Sequence, residues 1–176
     1  MRTFEELEQL WGEEPRSPAN RGTVDLVVVR TGAGIHETPA RIELDPTKGL
    51  IGDRWADKDR DSFGEQITLI NSTVAKLLCG DEQPLHMSGD NFHVDLDISE
   101  AALPVGARLR FGEAVLEVTP DPHTGCKKFS ERFGAEALRW VNYKPNRVNR
   151  LRGVHCRVIE SGHVTPGDVV ELVANE

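Results

Sequence analysis

"NFHVDLDI", Asn91 to Ile98, alternates without a break: Phe92, Val94, Leu96 and Ile98 are apolar, and the residues between them are polar. Neighbouring side chains on a strand point to opposite faces, so this stretch reads as a strand with one face buried. Further strand signals lie on both sides of it. "TVDLVVVRTG" from Thr23 is valine-rich, "ARIELD" from Ala40 alternates, and "EQITLIN" ends at Asn71. "ARLRFG" and "AVLEVTP" meet at Gly112-Glu113 and form a hairpin. "GVHCRVIESG" and "DVVELVA" close the chain with two more strands.

Helical signals are few and short. "TFEELEQLWG" is a helix with Thr3 as its cap, Glu6 three residues on, and Gly12 as its stop. "STVAKLLCG" is a short helix capped by Asn71 or Ser72 and stopped by Gly80, and "KKFSERFGAEALRWV" is one helix or two. "GLIGDRWADKDRDSFG" is a long polar loop. The fold class expected is mainly β, barrel-like, with a few short helices. Residues 1–21 form an N-terminal helix and linker, and residues 22–173 form the domain.

Composition narrows the function. The chain has 176 residues, enough for one domain with its own core. No run of about 18 apolar residues occurs, and the acidic start is no signal peptide, so a cytoplasmic location with reduced thiols is expected. The net charge of −8 speaks against general nucleic-acid binding. That sum hides an asymmetry. From Thr124 to Arg157, nine bases face two acids, a net +7 that leaves −15 for the rest. One basic block in an acidic chain reads as a local anion site or as a solvated face. A strand followed by G-x-G-x-x-G, a P-loop, H-E-x-x-H and G-x-S-x-G are all missing.

Three cysteines, with no C-x-x-C, form neither a closed disulfide set nor a cysteine-pair zinc site. Cys79 ends an apolar helix and Cys156 alternates with Val154 and Val158, so both read as core residues. Cys126 differs. It lies on the turn "PDPHTGCKKF" beside Lys127 and Lys128, where cations and a helix start would favour a thiolate. Such a sulfur serves as a nucleophile, a persulfide carrier or a soft-metal ligand. His123, three residues before it, is a candidate acid or ligand-orienting group. Arg147, Arg150 and Arg152 cluster in "KPNRVNRLRG" and suit phosphate, as does Arg54 on its own.

The ordered set "GLIGDRW", "EQITLI", "GDNFHVDLDI", "LPVGARLRFGEAVLEVT", "PHTGCKKF" and "RGVHCRVIESGHVTPGDVVEL" resembles the MOSC domain family, named after the C-terminal domain of molybdenum-cofactor sulfurases. The resemblance implies a β-barrel and matches Cys126 to the family's characteristic cysteine. That residue is held to carry sulfur or, in amidoxime-reducing members, to ligate the molybdenum of a pterin cofactor. The resemblance also puts Arg54 and Asn91 in the pocket. By physical inference, Lys127, Lys128, Arg147, Arg150 and Arg152 would meet the pterin phosphate. Gly125 departs from the proline that many members carry there, and its backbone freedom leaves the thiol's geometry open. Two readings follow. One is a molybdenum-dependent oxidoreductase acting on N-hydroxylated or N-oxide substrates, with electrons from a separate protein. The other is a persulfide carrier or cofactor-binding module that hands its cargo to a sulfur-transfer partner. A scaffold without chemistry is a third.

Overall fold

The computed structural model describes residues 1–57 and 63–173, so part of the long polar loop lies outside the described residues. The elements in chain order are α1 (Phe4–Glu13), β1 (Arg21–Val27), β2 (Val29–Arg30), β3 (His36–Glu37), β4 (Ile42–Asp45), β5 (Gly49–Leu50), β6 (Ile67–Asn71), α2 (Ser72–Cys79), β7 (Phe92–Asp95), β8 (Arg108–Phe111), β9 (Ala114–Val118), α3 (Lys127–Phe133), α4 (Ala135–Asn142), β10 (Val154–Glu160), β11 (Gly162–Val164) and β12 (Val169–Val173). Seven strands close into a barrel in the order β1-β12-β8-β9-β10-β6-β7, with β1 pairing back onto β7. Its pairs are antiparallel except β6 with β7, which run parallel because α2 carries the chain back between them. The mainly β, barrel fold with a few short helices is therefore observed.

Asn91–Ile98 does its expected work and more. Phe92, Val94, Leu96 and Ile98 all lie in the barrel core, although the paired strand ends at Asp95. The opposite face is not open: His93 is also buried, with Nε2 2.9 Å from Ser88 Oγ. β6 is buried along its whole length because it serves two cores. Ile67 and Leu69 point into the barrel, while Ile70 joins an outer cluster with Leu7, Val74, Leu78, Phe129, Phe133, Trp140 and Leu151. Burying both faces explains why this strand is a continuous apolar run. The outer cluster is a layer of helices laid on one side of the barrel.

α1 begins with the expected capping box of Thr3 and Glu6, but it runs through Gly12 to Glu13, since its last turns still pack Leu10 and Trp11 on the helical layer. Glu8 ties it to that layer, accepting from Trp140 Nε1 at 2.8 Å and from Asn146 Nδ2 at 2.9 Å. Asn71 caps α2 by accepting from the Thr73 and Val74 amides. "KKFSERFGAEALRWV" folds as two helices, broken at Gly134. The hairpin at Gly112-Glu113 joins β8 to β9. The short strands β2, β3, β5 and β11 had no distinct signal in the sequence.

Candidate functional site

Where the helical layer meets the barrel, a cavity of about 410 Å³ opens. Its wall combines barrel residues Val118 and Val154 with Val141 and Leu151 of the outer layer. The polar lining includes His123, His155, Arg147, Arg150 and Arg152. The three expected arginines are thus brought together with His123. This size falls within the range of small-molecule and cofactor sites.

The frame of the cavity is Asp90, which is fully buried. Both of its carboxylate oxygens lie 2.8 Å from Nη1 of Arg152, and Oδ1 also lies 2.8 Å from Nε2 of His123. Burial alone would raise the Asp90 carboxyl, but the Arg152 charge and the His123 hydrogen bond outweigh it and hold the group well below the usual carboxylate range. His123 is shifted down as well, toward its neutral form. Burial, reinforced by the Arg152 charge, pushes it down to about 4 despite the pull of Asp90. Its ring is therefore neutral at neutral pH, and its one N–H goes to Asp90. The geometry turns the ring's N–H to Asp90 rather than to the cavity, and so lends no support to His123 as an acid. The side chain is only 9% exposed.

Gly153 makes this packing possible. At φ +103 it lies so close to β6 that a Cβ would sit 2.1 Å from the Leu69 carbonyl oxygen and 3.2 Å from His123 Cδ2. Arg152 lies over the Phe129 ring at 5.2 Å, and its Nε is buried with no hydrogen-bond partner. Arg152 lines the cavity, while this nitrogen itself is sealed from solvent. Arg150 is half-buried and spends Nη1 on the carbonyls of Leu103 and Ile98. Arg147 is exposed and makes no ion pair among the described residues.

Cys126 is exposed, at the cap position of α3, and its side chain makes no capping bond. It does not itself line the cavity; Thr124, two residues earlier, does. Its neighbours contribute less than expected. Lys127 is 90% exposed and its Nζ reaches Glu131 at 3.9 Å, a solvated contact that water and salt screen. Lys128 is exposed too, and neither lysine lines the cavity. α3 has seven residues, too short to act as a strong dipole. Cys79 and Cys156 are buried, as expected, and burial pushes the Cys79 thiol up to about 11.

Arg54 and Asn91 stand elsewhere. Arg54 donates to the Gly32 carbonyl at 3.1 Å. Asn91 is fully buried, accepting from the Thr68 amide and hydroxyl and donating to Asp53 at 3.0 Å. Asp53 in turn chelates Arg30 through Nε at 2.8 Å and Nη2 at 2.9 Å. Neither Arg54 nor Asn91 lines the cavity. In "GDRW" the anchoring residue is Asp53, and in "GDN" it is Asp90, which holds Arg152 and His123 from behind the cavity wall, each one place before the expected one. His155 was missed as well. The visible signal was its outward position opposite Thr68, next to inward-facing Cys156.

No three His, Cys, Asp or Glu side chains among the described residues come together in a way that could hold a metal ion. A metal here would need ligands beyond the protein's own. The molybdenum cofactor implied by the family is such a group: it brings its own sulfur ligands, and the arginine-lined wall, with Arg147 unpaired on it, suits its anionic part. No described helix is long and apolar enough to cross a membrane.

A barrel with an exposed cysteine beside an arginine-lined cavity defines the class of this protein. The MOSC domain profile matches residues 65–171, and the chain belongs to that family. Among solved structures it is similar to the YuaD protein from Bacillus subtilis, with a TM-score of 0.65 and 16% identity over 91% of this chain and 100% of that one. It is also similar to YiiM from Escherichia coli, with a TM-score of 0.59 and 21% identity over 89% of this chain and 71% of that one. YiiM from Geobacillus stearothermophilus matches with a TM-score of 0.59 and 16% identity, over 87% of this chain and 75% of that one. No curated protein matches the chain in sequence.

Proposed function

We infer that this protein binds a molybdenum cofactor, with the Cys126 thiolate as the metal's protein ligand and the arginine-lined cavity as the seat of its anionic part. The observation that carries this reading is the continuity of the segment: Thr124 lines the cavity and Cys126 follows it, exposed, two residues on. Arg147 supplies an unpaired charge at the rim, and Arg152 a fixed positive charge in the wall. Asp90 holds Arg152 in place, and Val118, Val141, Leu151 and Val154 form the apolar side of the cavity. When bound, the cofactor would supply two-electron chemistry suited to reducing N-hydroxylated or N-oxide substrates, with electrons from a separate donor protein.

The test is molybdenum content after expression in a host that makes the cofactor, for wild type and Cys126→Ser side by side. Near-stoichiometric metal in wild type alone supports the reading. Equal metal in both sinks Cys126 as the ligand, and no metal in a host proven to load other molybdoproteins sinks cofactor binding. One observation favours a second reading: the exposed thiol stands outside the cavity lining, as a persulfide carrier would require. A mass increase of one sulfur on Cys126, without molybdenum, would select it.

A further inference from the structure

Asp90 is an ionised carboxylate and only accepts hydrogen bonds, so Nε2 of His123, 2.8 Å away, carries the ring's hydrogen. A neutral imidazole has one N–H, which leaves Nδ1 of His123 bare. His155 is fixed in the same manner. Its Nδ1 faces the Asp121 carbonyl at 3.2 Å and donates to it, leaving Nε2 bare. The two rings stack with centroids 4.3 Å apart. Neither bare nitrogen has a protein partner among the described residues. Both residues line the cavity.

An isolated carboxylate would make its histidine more basic and ready to take a proton. Here Arg152 occupies the same carboxylate with two 2.8 Å contacts. Asp90 therefore orients His123 without making it basic. The charged and titratable groups acting on this ring are Arg152, Asp90 and His155. The cavity charges also nearly cancel, since Arg147, Arg150 and Arg152 stand against Glu100, Asp121 and the buried Asp90. Selection between ligands then falls to hydrogen bonding rather than to net charge.

We propose that Nδ1 of His123 is a fixed hydrogen-bond acceptor in this cavity, so that the cavity takes an oxyanion still carrying a proton, a phosphate-monoester or phosphonate monoanion, over a sulfate or sulfonate of the same size. This rests on reading the arginine-lined cavity as an anion site. Arg147 bonds the bare oxygens, and His123 receives the O–H. A sulfonate offers His123 a lone pair against a lone pair, which leaves both groups unsatisfied.

The test uses methylphosphonate and methanesulfonate, at a pH below the second ionisation of the phosphonate. Both are then monoanions of one shape, and only the phosphonate has an O–H. Calorimetric titration of the protein, with no cofactor added, should show the phosphonate binding about ten-fold tighter or more. His123→Phe keeps a ring stacked on His155 and should bring the two affinities together. Equal affinities in wild type, or an undiminished preference in His123→Phe, overturn the proposal. Binding of neither anion overturns it together with the anion site. Should His123→Phe fail to fold, imidazole nitrogen NMR on wild type decides. Nδ1 of His123 should be unprotonated and shift with phosphonate but not with sulfonate; a protonated Nδ1 overturns the proposal. Molybdenum loading through Cys126 is measured separately, so the two readings fail independently.

Discussion

Asn142 holds Gly125 at both ends: its Oδ1 accepts the Gly125 N–H at 3.0 Å and its Nδ2 donates to the Gly125 carbonyl at 3.3 Å. The residue before the exposed thiol is thus tied to the end of α4. Its φ lies outside the left-handed region, so glycine's freedom is not what the position uses. Space is. A Cβ there would lie 2.5 Å from Leu138 Cδ1 and 3.2 Å from Val141 Cγ2. The geometry that Gly125 left open is set here from α4, whose last residue ties down the approach to Cys126.

Breaking that clamp should therefore be felt at the thiol. Asn142→Ala is expected to cost about 1–2 kcal/mol of stability and to change the rate at which Cys126 reacts with a thiol reagent. Gly125→Pro should cost more, since it loses the N–H and crowds Leu138. Urea denaturation and timed labelling check both; wild-type values in Asn142→Ala would show the clamp to be idle.

Native protein should take up one alkylating group, at Cys126. Cys79 and Cys156 are buried and should react only on unfolding. Cys126→Ser should leave stability within about 0.5 kcal/mol, because the exposed side chain makes no capping bond. Mass spectrometry before and after denaturation reads the labelling pattern.

Two carboxylates offer a contrast in burial. Asp90→Asn leaves Arg152 buried beside a neutral amide and should cost about 3–5 kcal/mol. Glu117→Gln loosens surface contacts to Arg108 and Arg157, both about half exposed, and should cost about 1 kcal/mol or less. Similar losses in the two variants would remove Asp90 from the frame of the cavity.

The buried histidines give the protein an acid-sensitive range. His93 and His123 are both pushed down to about 4, chiefly by burial, from an ordinary value of 6.5. Between those values the unfolded chain binds more protons than the folded one. Stability is therefore full above pH 6.5, falls as pH drops toward 4, and loses nothing more from these groups below that. Each contributes on the order of 3 kcal/mol across the range. His36 and His155 shift in the same direction. Denaturation midpoints taken from neutral to acid pH should show the decline, and a flat profile would contradict the burial of these rings.

The barrel was legible because its strands carry their own period. Phe92, Val94, Leu96 and Ile98 announce an inner face, and Gly112-Glu113 announces a hairpin. The two-residue strands around Val29 and His36 are too short to carry a period, so they escaped. At the site, Cys126 and the three arginines stood out by their chemistry. Asp90, His155 and Asp53 did not, because their roles come from pairings across the chain. Asp90 meets Arg152 62 residues away, and no local pattern records that contact. The same gap hid the role of the Asn91 amide, which serves the Asp53–Arg30 pair.

The two cores described above meet at the cavity, and this has a consequence for how the protein comes apart. Phe129, Leu151 and Val141 belong to the helical layer, and Val118 and Val154 to the barrel. A partial opening that lifts α3 and α4 would dismantle the cavity while every barrel strand stayed paired. Ligand competence and barrel integrity are therefore separable properties of this chain. Amide exchange on α3 and α4 would report the first, and amide exchange on β6 and β10 the second.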